Sequence, residues 1–181
     1  MNIRPIEVSD AGRIVEIMRQ KTVLPNIIAL PSLRVEKFES RLKSPAPNQH
    51  DFVAEIDGVV VGLCGLTQGL GRRAHTGTLF LFIDEQYHNR GIGTALIHHA
   101  IDLADNWLML ERIELTVIDA NQRAKALYER LGFEVEGFKH GSIVRNGRYA
   151  GECCMARFRP DGAVKKEYDK LKETEQMESS R

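Results

Sequence analysis

The residues best suited to chemistry in this sequence lie in one glycine-containing stretch, residues 83–96, whose centre reads Asn89-Arg90-Gly91-Ile92-Gly93. An apolar, strand-like run precedes it and a long helical pattern follows it. Gly91 and Gly93 remove side chains where the first turn of that helix presents N–H groups without intrahelical partners. A helix start of this kind is suited to binding anions. The stretch therefore predicts an anion site, and a pyrophosphate is the ligand most worth considering.

Two other phosphate-binding motifs do not fit this stretch. A Walker-type loop needs Lys and then Ser or Thr after its last glycine, but Gly93 is followed by Thr94-Ala95. A dinucleotide-binding loop needs a third small residue, and Leu96 stands where it is required. A tight strand-to-helix turn without a ligand is the remaining structural alternative.

Several predicted elements must position this loop. Residues 52–56 and 59–66 predict two strands, and Asp57-Gly58 between them is a strong hairpin signal. A third strand over 75–83 leads into the loop. At the start of the chain, residues 3–8 predict a strand.

Helices are predicted on both sides of these strands. Ser9-Asp10 and Ser32 are candidate N-caps for the first two helices. The helix after the loop is predicted over 91–108, with Trp107 and Leu108 among its buried residues. Its two histidines, His98 and His99, point about 100° apart and do not form a metal-binding pair.

The second half continues with strand 113–118 and a shorter helix after Asn121, which Gly132-Phe133 ends. A final hairpin turns at Asn146-Gly147. Strand, helix and strand over 78–118 predict a parallel pair with a right-handed crossover. The expected fold is α/β (α+β): one domain with a mixed, mostly antiparallel sheet of about six or seven strands, a parallel central pair, and helices on both faces.

We assign residues 1–160 to this domain and residues 161–181 to a charged C-terminal tail. Val164, Tyr168 and Leu171 form a weak helical stripe in the tail. The tail is therefore expected to dock as a helix on the body or on a partner, or to fray.

Composition limits the partners. The 25 Lys and Arg residues balance 25 Asp and Glu residues, so neither nucleic acid nor an anionic membrane is an expected partner. No apolar run is long enough to span a bilayer, and the N-terminus lacks a signal segment. Cys64, Cys153 and Cys154 match no zinc spacing and fit a reducing compartment. We expect a cytoplasmic protein that needs no metal.

Two linked motifs carry a family resemblance. Arg90-Gly91-Ile92-Gly93 follows an apolar strand, and the second motif comprises Asn121, Ala124, Leu127, Tyr128 and Leu131-Gly132-Phe133. Together they resemble the acetyl-CoA-dependent N-acetyltransferases of the GNAT superfamily. The ending, 146–152 and 155–157, is similar to the bacterial amino-acid and small-amine acetyltransferases.

The resemblance implies an acetyl-CoA site. In the family the pantetheine arm lies between two strands that splay apart, and the glycine loop holds the pyrophosphate. The residues that the resemblance assigns to acetyl-CoA are Leu81, Phe82, Ile83, His88, Asn89, Arg90, Gly91, Ile92, Gly93, Thr94, Asn121 and Tyr128. His88 departs from the family pattern, which has Gln or Arg there, and it places a titratable group near phosphate.

Acyl transfer also requires an acid and a base. Tyr128 is the candidate acid that protonates the leaving thiolate, and a core tyrosine is its structural alternative. His75 is the candidate base because a histidine side chain can accept a proton near neutral pH and because it lies on the strand that enters the loop, with a water relay as the alternative. Asp84 and Glu85 are expected at the surface.

The sequence therefore predicts transfer of acetyl from acetyl-CoA to a primary amine of a small molecule, with an amino acid as one candidate, by direct attack in a ternary complex. Peptide or protein amines are the alternative acceptors. An exposed groove would favour them, whereas a closed pocket built from residues 24–42 and the last hairpin would favour a small molecule. A non-catalytic acyl-CoA sensor is the alternative of another class. Many members of the family dimerise, so a homodimer is an option that no residue proves.

Overall fold

The computed structural model describes residues 1–179, with side chains described as far as residue 174. The strands are β1 Asn2–Pro5, β2 Gln49–Ile56, β3 Val59–Gln68, β4 Thr76–Ile83, β5 Arg112–Ile118, β6 Glu134–Arg145 and β7 Arg148–Phe158. The α-helices are α1 Ala11–Met18, α2 Val35–Lys43, α3 Ile92–Asp102, α4 Gln122–Arg130 and α5 Ala163–Ser179. All seven strands form one sheet in the order β1-β2-β3-β4-β5-β7-β6.

The sheet is antiparallel except between β4 and β5, which confirms the predicted mixed sheet with a parallel central pair. These two strands pair only from Thr76 opposite Arg112 to Thr78 opposite Glu114. Beyond Thr78, β4 continues to pair with β3 as far as Ile83, and β5 pairs with β7 as far as Ile118. The two central strands therefore separate towards their carboxyl ends.

Helices cover both faces of the sheet, as predicted. Residues of α1 and α2 pack with Leu63 and Phe82 in one buried cluster. Residues of α3 and α4 pack with Leu79 and Leu115 in the other. The alternation of side chains along β4 divides its residues between these clusters, because neighbouring residues of a strand point to opposite faces.

The prediction of a single helix over 91–108 is wrong at its end. The α-helix stops at Asp102, and a π-helical turn follows over Leu103–Trp107. A π turn adds a residue to the helical repeat and rotates the following side chains. Trp107 is consequently 76% exposed instead of buried.

Two other boundaries also differ. Strand β1 ends at Pro5 and not at the predicted residue 8, because residues Val8–Asp10 form a 3₁₀ turn. Arg4 Nη1 and Nη2 donate to the two Asp10 carboxylate oxygens at 2.8 and 2.9 Å. Helix α2 begins at Val35 rather than at Ser32. The last hairpin turns at Asn146-Gly147 as predicted, with φ angles of 51° and 74° that suit a tight hairpin turn.

The segment after Pro160 contains α5, and this helix contacts the body. The rings of Tyr168 and Phe158 stack with centroids 4.6 Å apart, and Lys172 Nζ lies 2.8 Å from a Glu134 carboxylate oxygen. Residues 180–181 of the predicted tail lie outside the described residues, and the division at residue 160 stays a prediction. Within residues 1–179, no helix combines the length and apolar character needed to cross a bilayer.

A buried ion pair joins α1 to the end of β4. Asp84 is 1% exposed, so the prediction of a surface role for it is wrong. Its carboxylate binds the Arg13 guanidinium and accepts a hydrogen bond from the Gln86 N–H at 2.9 Å. Arg13 Nε donates to the Val60 carbonyl at 3.0 Å. The pair therefore fixes the point where β4 enters the glycine loop.

Replacing Arg13 by Met should lower the free energy of unfolding by about 3 kcal/mol, because a buried carboxylate then loses its counter-charge. Urea denaturation measures this change. The matched control is Glu16→Gln, since Glu16 is the other partner of Arg13 but is 66% exposed. That change should cost less than about 1 kcal/mol, and equal effects of the two variants would contradict a structural role for Asp84.

Candidate active site

A cavity of about 1100 Å³ opens along the gap between β4 and β5. We call one end the loop end; it is formed by residues 87–89 and 91–94 and by the start of α4. We call the other the α2 end; it is formed by residues 18–29, by α2 and by Phe80. The separated strands lie between the two ends, so a long ligand can cross from one to the other.

The two glycines of the loop end are needed for different reasons. Gly91 has a φ of 77°, a conformation that L side chains rarely adopt. A Cβ on Gly93 would lie 3.2 Å from Leu127 Cδ2 and 3.3 Å from Leu81 Cδ2, so its lack of a side chain lets α3 approach both neighbours closely. The first N–H groups of α3 therefore face the cavity without an intervening side chain, as an anion site requires.

His88 is held between two groups at the loop end. Its Nε2 lies 3.0 Å from the Ile83 carbonyl oxygen, and its Nδ1 lies 2.7 Å from Arg123 Nη1. Because an arginine can only donate, Nδ1 accepts and Nε2–H donates to Ile83. Burial, opposed in part by the hydrogen bond to Ile83, lowers the pKa of His88 below its usual value. The imidazole is therefore neutral at neutral pH.

Tyr128 lies on α4 with its ring packed edge-on against Phe133 at a centroid distance of 5.8 Å. The residue is 6% exposed and lines the cavity. Burial raises the pKa of Tyr128, so the phenol keeps its proton at neutral pH. Tyr128 therefore packs as a core residue does, and its phenol can donate a proton to a group bound in the cavity.

Asn121 has a structural role that sequence analysis missed. It is the N-cap of α4, and its Oδ1 accepts a hydrogen bond from the Ala124 N–H at 3.2 Å. It also lines the cavity. The side-chain amide therefore has its N–H₂ group available for a ligand.

Most of the predicted site residues come together. Those that line the cavity are Leu81, Phe82, Ile83, His88, Asn89, Gly91, Ile92, Gly93, Thr94, Asn121 and Tyr128. Arg90 is not among the lining residues, and its guanidinium lies over the Tyr87 ring at 5.0 Å.

His75 lies outside the cavity. It is exposed and precedes β4, at the end where β4 and β5 are still paired. Because the strands separate at the opposite end, His75 does not face the gap, and this placement does not support it as the base. Glu85 accepts a 2.7 Å hydrogen bond from the Thr22 hydroxyl.

Five charged residues of the cavity were missed by sequence analysis: Lys37, Arg41, Arg123, Arg130 and Glu152. Arg123 and Arg130 both lie within the second motif, between Asn121 and Leu131, and this position was the available signal. The other three had none, because only the tertiary fold brings α2 and β7 to the cavity. In the described part of the chain, no cluster of three or more His, Cys, Asp or Glu side chains is arranged to hold a metal ion.

Separated parallel strands beside a glycine-containing helix start agree with the acetyl-CoA site that the sequence resemblance implies. Residues 16–133 match the acetyltransferase (GNAT) family, and the chain belongs to that family. It is an acetyl-CoA-dependent N-acetyltransferase, which confirms the predicted enzyme class and argues against a non-catalytic sensor.

Individual relatives agree with this assignment. The chain is 36% identical over 156 residues to the L-amino acid N-acetyltransferase AaaT of Escherichia coli (strain K12), across 86% of this chain and 96% of that protein. It is 31% identical over 113 residues to the spermidine N(1)-acetyltransferase of the same organism, across 61% of this chain and 59% of that protein. The crystal structure of a GNAT acetyltransferase from Streptococcus pneumoniae superposes with a TM-score of 0.74 at 28% identity, covering 87% of this chain and 98% of that one.

The two hydrogen bonds of His88 lead to a prediction about acetyl-CoA binding. Gln can accept from Arg123 and donate to Ile83 as the neutral imidazole does, so His88→Gln should keep the Kd for acetyl-CoA within about twofold. His88→Ala loses both bonds and should weaken binding roughly fivefold or more. Isothermal titration calorimetry measures both constants.

The pH dependence tests the protonation state of His88. Because its pKa is lowered, the imidazole stays neutral above pH 7, and the wild type and His88→Gln should show the same change in Kd between pH 7 and pH 8.5. Binding that tightens towards pH 7 in the wild type alone would show that the imidazole is gaining a proton there.

Proposed function

We propose that this enzyme transfers the acetyl group of acetyl-CoA to the primary amine of a small molecule, with an amino acid as the leading candidate, by direct attack in a ternary complex. The observation that supports the choice of a small acceptor is that residues 22–29, α2 and the last hairpin all border the cavity. Residues 22–29 and α2 form its walls, and Ile143 and Glu152 of the last hairpin line the cavity as well. Arg145 Nε donates to the Pro25 carbonyl at 3.1 Å and ties the hairpin to this wall.

Acetyl-CoA fits along the gap between β4 and β5 and at the loop end of the cavity. Past Thr78 the edge of β4 that faces β5 is not paired with it, so the pantetheine arm can add to β4 as a further strand would. The Asp84 N–H donates to the Val61 carbonyl of β3, so the backbone of Phe82, two residues earlier, also faces β3. The Ile83 carbonyl already accepts from His88, which leaves the backbone of Leu81 as the main partner of the arm. The N–H groups from Asn89 to Thr94 hold the pyrophosphate, and Asn121 contacts the arm from the α4 side.

In the reaction, the neutral amine attacks the thioester carbonyl carbon, a C–N bond forms, and the C–S bond breaks. The amine loses one proton, and the leaving thiolate gains one from the Tyr128 hydroxyl. The proton that the amine releases then restores the Tyr128 phenol through water. The products are the N-acetyl amine and free CoA. Tyr128 suits this step because its buried phenol stays protonated at the pH of the reaction.

The cysteines support direct attack over an acetyl-cysteine intermediate. None of the three lines the cavity in the described structure. Burial raises the pKa of the thiols of Cys64 and Cys153, which keeps them from forming the nucleophilic thiolate. The acetyl group therefore passes straight from sulfur to nitrogen.

The proton of the amine leaves through water or through Glu152. Glu152 is the one carboxylate among the described residues that line the cavity. It lies on β7 opposite Ile118, at the end of β5 that has separated from β4. It thus replaces His75 as the side chain best placed to act as a base.

The proposal also includes a cytoplasmic location, which free Cys64, Cys153 and Cys154 support. A homodimer stays a prediction. No nucleic-acid or membrane partner is proposed, in keeping with the balanced charge of the chain.

A thiol-release assay with acetyl-CoA tests the function. Amino acids, polyamines, aminoglycosides and short peptides serve as acceptors, and we expect release with small amines above the hydrolysis background. Thermal stabilisation by acetyl-CoA without release for any acceptor would contradict the proposal.

In the same assay, Tyr128→Phe should lower kcat by about tenfold or more, because it removes the proton donor but keeps the ring against Phe133. The rise in Tm on adding acetyl-CoA should be retained. Tyr168→Phe is the control, since Tyr168 stacks on Phe158 away from the cavity. Unchanged turnover of Tyr128→Phe under conditions where chemistry limits the rate would remove Tyr128 from the mechanism.

A further inference from the structure

The α2 end of the cavity carries positive charge without matching negative charge. Lys37 and Arg41 lie one turn apart on α2 and both line the cavity. Lys37 has no ion-pair partner among the described residues. No Asp or Glu from residues 18–41 lines the cavity, and its one carboxylate, Glu152, comes from the opposite wall. A polycationic acceptor would meet like charge here.

Arg41 lies beside the middle of β4 rather than beside the glycine loop. Its partner Asp51 is opposite Gly65 of β3, and Gly65 is opposite Phe80 of β4, whereas β4 reaches the glycine loop only after Ile83. At about 3.3 Å per residue, Phe80 lies roughly 10 Å before Ile83 along the strand. The phosphates have Arg123 and the N–H groups of the loop beside them instead. Lys37 and Arg41 are therefore better placed to bind the acceptor than the pyrophosphate.

Arg41 is held in place on two sides. Its Cζ lies 4.7 Å from the centroid of the Phe38 ring, and its Nη2 lies 3.4 Å from an Asp51 carboxylate oxygen. The Asp51 side chain is only 6% exposed and also accepts from Gln49 Nε2 at 2.8 Å. Asp51 thus holds one side of the guanidinium, and the remaining N–H groups of Arg41 can bind a second acceptor group.

The rest of the α2 end is largely apolar. The apolar side chains that line it include Met18, Val23, Ile27, Ile28, Phe38 and Phe80. An acceptor that fits this lining and both cations has an apolar side chain and an anionic group.

We propose that Lys37 and Arg41 bind the carboxylate of the acceptor, so that the acceptor is an amino acid with an apolar side chain and not a polyamine. This inference rests on the proposed function, and it names the acceptor class and the residues that select it. Asp51 is a positioning residue that acts through Arg41.

The test compares kcat/KM for leucine, leucinamide, 3-methylbutylamine and spermidine at saturating acetyl-CoA. The first three share a side chain and differ at the carboxylate. Leucine should exceed the other acceptors by about tenfold or more, as expected for hydrogen bonds to a charged group. Leucinamide is a stringent comparison. Its amino group is less basic than that of leucine, so a larger fraction of it is neutral. If the enzyme did not recognise the carboxylate, leucinamide would therefore react faster than leucine.

Variants of Lys37 and Arg41 test whether these side chains cause the preference for leucine. Lys37→Met should raise the KM for leucine about tenfold while leaving the KM for 3-methylbutylamine and for acetyl-CoA unchanged. Arg41→Lys keeps the charge beside Asp51 but loses the planar fork, and it should reduce the preference for leucine over leucinamide. Lys43→Met is the control, because Lys43 lies on the same helix, is 65% exposed and does not line the cavity. Circular dichroism melting confirms that each variant is folded.

A kcat/KM for leucinamide, 3-methylbutylamine or spermidine that equals or exceeds the value for leucine would overturn the inference. The proposed acetyltransferase activity would still stand in that case. Effects of Lys37→Met and Arg41→Lys no larger than that of Lys43→Met would overturn the assignment of these residues. Failure of every amine to release thiol would instead contradict the proposed function itself. The two failures are therefore distinguishable.

Discussion

The structure depends on the point at which β4 stops pairing with β5. A central strand normally satisfies its backbone groups on both edges, because unpaired buried N–H and C=O groups are costly. Here the parallel pairing ends at Thr78, five residues before β4 ends at Ile83. The gap gives the cavity its length and supplies main-chain groups that can pair with an extended ligand.

Other contacts keep this gap in one shape. The Arg13–Asp84 pair anchors the end of β4 to α1 and to β3, so the strand enters the loop at a fixed position. The close packing of Gly93 against Leu81 and Leu127 sets the distance between α3, β4 and α4. His88 then joins Ile83 to Arg123 across the mouth of the gap. The acetyl-CoA site is in this sense preorganised by interactions that do not include the ligand.

Much of this arrangement could be predicted from local patterns. Strand alternation, the Asp57-Gly58 and Asn146-Gly147 turns and the glycine loop each act over a few residues, and the predicted sheet and the anion site followed from them. The residues predicted to bind acetyl-CoA were assigned through the family resemblance. The errors have physical causes of longer range. The π turn rotated Trp107 outward, and the burial of Asp84 depends on Arg13, 71 residues away in sequence. The α2 end could not be predicted, because Lys37, Arg41 and Glu152 meet only in the folded chain. The exposed position of His75 before β4 does not support it as the base, and the pattern of the strand alone did not indicate this position.

The central claim is that acetyl-CoA lies in the gap between β4 and β5 with its pyrophosphate on the loop. Residue-resolved hydrogen exchange with and without acetyl-CoA tests this most directly. With acetyl-CoA bound, we expect slower exchange for the amides of β4 beyond Thr78 that face the gap and for the amides of residues 89–94. The exchange rates of β1 and β2 should not change. Protection confined to other parts of the chain, under conditions where acetyl-CoA raises the Tm, would contradict it.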